Sequence, residues 1–441
     1  MKPQPHFPTF AEALRVWLRV GLLSFGGPAA QIAVMHREVV DDRHWVSDAR
    51  FLHALNFCML LPGPEATQLA TYLGWLMHGV KGGIAAGVLF VLPGAVVMLA
   101  LSMIYATLGE VPIVAALFFG LKCAVLVLVV EALLRVARRA LHGAPAWALA
   151  GVAFVALAAF AVPFPIVVLA ALAIGYAVPN AFAAGGHGKA KQGPPALLDA
   201  ALAADPDRIA RMAPAARRAG LLTLAMWLWP VVLLVGTPVW GDIAWFFSKM
   251  AVVTFGGAYA VLAYVAQEAV TNYRWLTAPE MLAGLGLAET TPGPLILVLQ
   301  FVGFLAGYRD SGILGGVGGS VLTLWVTFAP CFAFIFLGAP FVERMHEQPR
   351  LKGALAGVTA AVVGVIANLA LWFGLRVIFA EVHHLSIGPA TIDLPVLATV
   401  QPLALGLAVL AAVLLFGLKL GLAKVLAVCA AAGLALSLLV G

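Results

Sequence analysis

Apolar residues dominate this chain in long stretches, and polar residues are largely confined to the short gaps between them. Runs long enough to cross a hydrocarbon core, about 20 residues each, lie at 10–34, 51–78, 83–108, 112–134, 146–161, 163–180, 219–236, 242–265, 280–306, 312–338, 353–379, 394–416 and 420–440. They predict an all-α polytopic membrane protein with about 13 transmembrane segments, because lipid forces the backbone to satisfy its own hydrogen bonds. The runs 146–161 and 163–180 are short and close together. Those at 51–78 and 280–306 are broken by proline and also read as re-entrant segments.

One stretch of the pattern occurs twice. Ser24–Phe25–Gly26–Gly27 through Pro62–Gly63–Pro64 aligns without a gap, 230 positions on, with Thr254–Phe255–Gly256–Gly257 through Pro292–Gly293–Pro294. Glu38/Glu268, Trp45/Trp275, Leu52/Leu282 and Leu55/Leu285 match in between. The chain therefore reads as a duplication: a first repeat at 1–180, a linker at 181–218 and a second repeat at 219–441. In membrane transporters, repeats with helix breaks at corresponding positions point to a substrate site where the repeats meet.

Composition agrees with the pattern. The chain is 63% hydrophobic and 10% charged, with mean hydropathy +1.02, which leaves too little polar surface for a soluble globule. Its 45 glycines and 27 prolines sit largely inside apolar runs, where they mark breaks and close packing rather than disorder. Phe10–Gly27 follows Lys2 as a signal peptide would, but its match to Trp240–Gly257 marks it as a retained helix.

With the N-terminus placed in the cytoplasm, alternation puts Lys81, Arg135, Arg138, Arg139, the linker, Arg274, Arg344, Arg350, Lys352, Lys419 and Lys424 inside. Arg37, Arg43, Arg50, Arg309 and Arg376 fall outside. The excess inside is what the positive-inside rule expects, and loop 36–50 is its exception. Seven spans then separate the repeat starts, and this odd number predicts inverted repeats. The linker, with Gly185–Lys189, Pro194–Pro195 and a short helix expected at 196–212, reads as a cytoplasmic connector.

Each repeat opens with a cation six positions before its Phe–Gly–Gly break, Arg19 before Phe25 and Lys249 before Phe255. A cation near the bilayer centre costs about 2.5–3.5 kcal/mol on insertion scales, so it is normally paired, lines a cavity or binds an anion. Snorkelling to the interface is the bland alternative, stronger for Arg19 than for Lys249. Lys122 is a third cation in an apolar run, with Glu131 or the substrate as its partner.

Each Pro–Gly–Pro ends one half-helix and starts another whose free N–H groups suit an anion. Thr290–Thr291 precede the second break and add hydroxyl donors, whereas Leu60–Leu61 precede the first and Glu65 follows it. Glu65 reads either as a capping charge or as a proton carrier, and Glu289 is a second candidate carrier. The Gly26–Gly27 and Gly256–Gly257 pairs read either as close helix packing or as binding loops. Asn56, Gln68, Gln300 and Asn368 are polar residues in apolar runs, each an interhelical hydrogen bond or part of a polar cage.

Cys58, Cys123, Cys331 and Cys429 are dispersed and the histidines are scattered or adjacent, so no metal site is expected. No Walker loop, nucleophile elbow or dinucleotide fingerprint is present, and neither an enzyme nor a cofactor is expected.

The run from Arg19 through Ser24–Phe25–Gly26–Gly27–Pro28, then Glu38, Trp45 and Pro62–Gly63–Pro64–Glu65–Ala66–Thr67–Gln68, resembles the chromate ion transporter family, and the second copy resembles that family's second domain. The resemblance implies a multi-pass protein of the bacterial inner membrane that exports chromate and confers resistance. It also implies that Arg19/Lys249 and the Phe–Gly–Gly and Pro–Gly–Pro segments are the functional positions. Expulsion of a dianion from a negative interior is favoured by about twice 2.3 kcal/mol per 100 mV, and proton antiport would add to this. The expected partners are chromate and membrane lipid, not nucleic acid; a homodimer is admitted without being required. Sulfate, of nearly the same shape, is the alternative substrate, and a passive anion channel the alternative mechanism.

Overall fold

The computed structural model describes residues 7–182, 196–255, 258–342 and 349–440. Gly185–Lys189, Pro194–Pro195 and Arg344 lie outside them. The first copy runs through α1 (Phe10–Leu23), α2 (Pro28–His36), a π-turn (Arg37–Asp41), α3 (Asp48–Leu60), α4 (Glu65–Leu108), α5 (Pro112–Ala140), α6 (Ala144–Ala158) and α7 (Phe164–Ala177). After α8 (Leu197–Ala204) and α9 (Arg208–Leu233), the order recurs in the second copy. It comprises α10 (Trp240–Val253), α11 (Ala258–Gln267), a π-turn (Glu268–Asn272), α12 (Ala278–Thr290), a 3₁₀ turn (Leu295–Leu297), α13 (Val298–Val342), α14 (Pro349–Ile378), a β1–β2 hairpin (Val382–Ile387, Ala390–Pro395), α15 (Pro402–Ala412) and α16 (Leu422–Val440).

Local chemistry sets these boundaries. Thr9 and Glu12 form a reciprocal capping box at the start of α1, Ser47 caps α3, and Thr277 with Glu280 repeats the box at α12. Pro28 occupies the first turn of α2, where its missing N–H costs nothing. Both copies turn at the same left-handed residue, His44 and Arg274, each at φ 53°.

Among the described residues four helical stretches are long and apolar enough to cross a membrane: Glu65–Leu108, Pro112–Ala140, Leu295–Phe341 and Pro349–Ile378. The first and third are doubled back on themselves. Gly79 (φ 64°, ψ −155°) and Gly312 (φ 68°, ψ −155°) interrupt them with matching left-handed backbone. A Cβ on Gly74 would fall on the Gly82 carbonyl, and one on Gly307 on the Gly315 carbonyl. Residues eight apart in a straight helix would be separated by about 12 Å, so each stretch is a tight helical hairpin. Gly79 to Gly312 is 233 positions where the breaks are 230 apart. The three extra residues are the 3₁₀ turn Leu295–Leu297, which has no counterpart before α4.

The chain divides into two compact units, each drawing on both copies. The first comprises Met1–Leu99, His187–Ala258 and Thr291–His346; the second Ala100–Gly186, Tyr259–Thr290 and Glu347–Gly441. In the second, α14 packs on α6 and α7, while α5 packs on α15 and α16. The long helix of each copy thus lies against the terminal pair of the other. Glycines allow the close approach: Gly353 and Gly357 against Gly175, and Gly433 against Gly120.

In the first unit one face is tied together. His78 Nε2 lies 2.9 Å from the Pro8 carbonyl, and Arg208 donates to the Met77 carbonyl at 2.7 Å. Leu197 and Leu198 donate to the His44 and Trp45 carbonyls, and Arg50 pairs with Asp199 at 2.6 Å. The N-terminus, loop 44–50, the turn at 77–79 and the start of α9 therefore share one face.

This corrects the expectation that loop 36–50 lies across the membrane from the linker. The apolar runs 10–34 and 51–78 are not single crossings. Each is a pair of short helices that leaves this face, breaks at 24–27 or 61–64, and returns. At the other end of α9, which is 26 residues long or about 39 Å, Trp240 at the start of α10 donates to Asp310 beside the second hairpin turn at 3.3 Å.

Candidate functional site

A helix that stops inside a protein leaves its last carbonyls and the next helix's first N–H groups in need of partners. In the first unit the two copies supply them to each other. Gly63 N–H donates to the Thr254 carbonyl at 2.8 Å, and Gly293 N–H donates to the Ser24 carbonyl at 2.7 Å. Ser24 and Thr254 are matching residues, as are Gly63 and Gly293, so the exchange is reciprocal. The Phe–Gly–Gly break of each copy is stitched to the Pro–Gly–Pro break of the other. Gly63 (φ 113°) and Gly293 (φ 88°) hold left-handed backbone here, which a side chain would strain. Gln31 bridges the copies as well, donating to the Gly26 carbonyl at 2.7 Å and the Gly293 carbonyl at 2.9 Å.

These crossings enclose a cavity of about 20 Å³ lined by Pro28, Gln31, Gly63, Pro64, Glu65, Ala66, Thr254, Ala258, Pro294, Leu295 and Ile296. That is room for about one water. α2 and α4 begin at lining residues, and their first-turn N–H groups give the site the positive potential of helix N-termini. Gln68 donates to the Pro62 carbonyl at 2.6 Å and fixes the first loop from inside. The Ser24 hydroxyl and the Gln68 Oε1 are buried with no partner among the described protein groups. The lining is mostly apolar, and the groups beside it that could serve an oxyanion are the Ser24 hydroxyl and the first-turn N–H groups of the helices that begin there, while the Glu65 carboxylate at its edge would oppose an anion.

The other anticipated residues fall in several places. Gly63, Pro64 and Pro294 line the cavity, and Pro62, Gly26 and Gly293 sit beside it as the carbonyls that Gln68 and Gln31 hold, while Phe25 is exposed and Phe255 half-buried. The Pro292 carbonyl abuts Gly94 so closely that no Cβ fits there. Gly256 and Gly257 lie outside the described residues, and Gly27 N-caps α2. Arg19 is not among the lining residues: its side chain is 61% exposed, and its Nε lies 3.0 Å from Glu38, which is 1% exposed and also takes Arg43 at 2.6 Å. Lys249 is exposed on α10.

Thr291 is buried in the first unit; Thr290 spends its hydroxyl on the Leu287 carbonyl at 2.9 Å. In the second unit the buried Glu289 accepts from the Tyr259 hydroxyl at 2.6 Å. Lys122, also in that unit, is half-buried, and Glu131 pairs with Arg135 one turn along.

Four residues that matter here carry little signal in the pattern. Gln31 has Val261 as its counterpart, so the duplication hides it; its only sign is an amide in an apolar run. Ser24 and Thr254 act through backbone carbonyls, which no side-chain motif reports. Glu38 was visible as a match to Glu268, without a role.

The profile of the chromate transporter family matches residues 11–176 and 241–435, in both copies. The chain belongs to the chromate transporter family. It is 34% identical over 365 residues to a chromate transport protein of Pseudomonas aeruginosa, covering 81% of this chain and 79% of that one. It is 28% identical over 373 residues to a chromate transport protein of Cupriavidus metallidurans, covering 83% of each. An uncharacterized transporter of Methanocaldococcus jannaschii is 24% identical over 371 residues. No solved structure matches. The family consists of transport proteins rather than enzymes, and membership makes this chain a membrane protein with an anionic substrate.

Proposed function

We propose that this protein is a secondary transporter that exports chromate from the cytoplasm across the bacterial inner membrane, with resistance to chromate as the result. The observation that carries the reading is the reciprocal stitching of the two copies, Gly63 to Thr254 and Gly293 to Ser24, around a small cavity fed by helix N-termini. A site built equally from two related halves can open to either side as the halves rock, as alternating access requires. The names of the relatives supply chromate as the anion; sulfate is the competing substrate.

The repeats are inverted in this reading. α9 starts where the first copy's broken pairs begin and ends where α10 begins the second, so a single crossing by α9 turns the second copy over. The first face carries Arg37, Arg43, Arg50, Lys81 and Arg208, which makes it cytoplasmic by the positive-inside rule. Arg19, Lys249 and Lys122 attract the anion on its path, while Glu65 and Glu289 are the carboxyls available for proton antiport. The membrane potential alone favours export of a dianion by about 2.3 kcal/mol per charge per 100 mV.

Energised everted vesicles containing the protein should accumulate chromate. Lys249→Ala should reduce that uptake; unchanged uptake would remove Lys249 from the path. Excess sulfate in the same vesicles separates the substrates: strong competition favours a general oxyanion carrier, and its absence favours chromate.

A further inference from the structure

Buried threonines in helices usually return their hydroxyl to the carbonyl four residues back. The buried Thr71 and Thr254 do so here, as do the half-buried Thr223 and Thr359 and the exposed Thr107, all at 2.5–2.8 Å. Thr323 and Thr327, in the second half of the α13 hairpin, do not. They are 1% and 3% exposed, and neither hydroxyl has a partner among the described protein groups. With Ser320 and Cys331 they recur at spacings of three, four and four, so all four lie on one face of the helix.

Two amides meet that row. At one end Gln300 donates to Ser320 Oγ and to the Ala95 carbonyl, both at 2.9 Å, while Thr323 Oγ1 lies against Gly303, one turn beyond Gln300. At the other end the Cys331 sulfur and the Gln68 amide both crowd Gly63: a Cβ built there would lie 3.2 Å from the sulfur and 3.1 Å from Gln68 Nε2. The Nε2 atoms of both glutamines are bound to carbonyls, which fixes their orientation and leaves both Oε1 atoms buried without protein partners.

Each orphaned buried polar atom costs on the order of 1–3 kcal/mol; two of them, the Thr323 and Thr327 hydroxyls, lie on this helix face, and two more, the Oε1 atoms of Gln300 and Gln68, flank its ends. The row offers hydroxyls that donate and amide oxygens that only accept. Water satisfies both kinds of group, whereas an anion would satisfy only the donors.

We propose that the face of α13 from Ser320 to Cys331 lines a hydrated lane that holds a file of bound water between the Gln300–Ser320 contact and the Pro62–Pro64 break. The lane delivers solvent to the edge of the cavity, where an oxyanion exchanging its hydration shell needs it. It goes beyond the transport reading and does not depend on which anion is carried.

Cys331 and Cys123 are both 0% exposed, but only Cys331 abuts the lane, so the chain contains its own control. Pulsed X-ray radiolysis of the full-length protein in nanodiscs generates hydroxyl radicals from water, bound water included, and mass spectrometry reads each thiol's oxidation. Cys331 should oxidise about tenfold faster than Cys123, because only the former lies beside bound water. Thr327→Val and Thr323→Val should each lower the Cys331:Cys123 ratio, and misfolding would instead raise the oxidation of both thiols. A ratio near one in the wild-type chain overturns the lane. So does a high ratio that neither variant moves, since the water would then not be held by these hydroxyls.

Discussion

Gly63 and Gly293 each do two things that no other residue does as cheaply: they hold left-handed backbone, and each donates an N–H to the opposite copy. A side chain in that conformation costs roughly 1–2 kcal/mol, and Gly63→Ala also presses on Gln68 and Cys331. Gly63→Ala and Gly293→Ala should therefore each depress vesicle transport strongly while lowering the melting temperature only by a few degrees. Loss from both is expected because the exchange is reciprocal, and the larger loss from Gly63→Ala because only its Cβ crowds Gln68 and Cys331.

Glu38 makes a different residue-scale prediction. It is 1% exposed and ties Arg43 and Arg19 together, whereas its counterpart Glu268 is half-buried and accepts from Asn272 at 2.7 Å. Breaking a buried pair costs about 3–5 kcal/mol, reduced here by the exposure of Arg19. Glu38→Ala should thus lower the melting temperature clearly more than Glu268→Ala does, and comparable losses would contradict the assigned environments.

At the scale of elements, the breaks were legible because proline and glycine interrupt apolar runs at matching positions in two copies. Pro28, Pro62–Pro64 and Pro292–Pro294 ended helices where their chemistry says they must. What could not be read was where the chain goes after a break. A crossing of 20 apolar residues and a pair of short helices that enters and returns have the same composition, so 10–34 read as a span, while the proline break left 51–78 open to either reading. The hairpins at Gly79 and Gly312 were hidden for a related reason: a glycine in an apolar run permits a reversal without announcing one. Gly79→Val and Gly312→Val replace left-handed glycines with a β-branched residue and should block hairpin closure, lowering the yield of folded protein. Gly151→Val, in an exposed part of α6 with open space around it, should be tolerated.

For the whole molecule, the misread pairs explain the apparent exception to the positive-inside rule. Loop 36–50 was assigned to the outside only because 10–34 was counted as a crossing; its ties to α8 place it with the linker. Single cysteines introduced at 36–50 and 266–279 should label from opposite sides, with 36–50 reached from the cytoplasm. Same-side labelling would sink the inverted arrangement. The cavity itself was only half legible: motifs named the loops, but the amide that joins them, Gln31, lacks a partner in the second copy.

The central claim is that one oxyanion site is made by both copies at once, and Gln31 tests it because its amide spans from Gly26 of one to Gly293 of the other. The measurement is equilibrium binding of radiolabelled chromate to the purified full-length protein and its Gln31→Leu variant, with thermal unfolding followed in parallel. Loss of hydrogen bonds that hold both loops should weaken binding by about tenfold, corresponding to 1.4 kcal/mol, with the folded state retained. Chromate affinity unchanged in a folded Gln31→Leu protein would contradict the account.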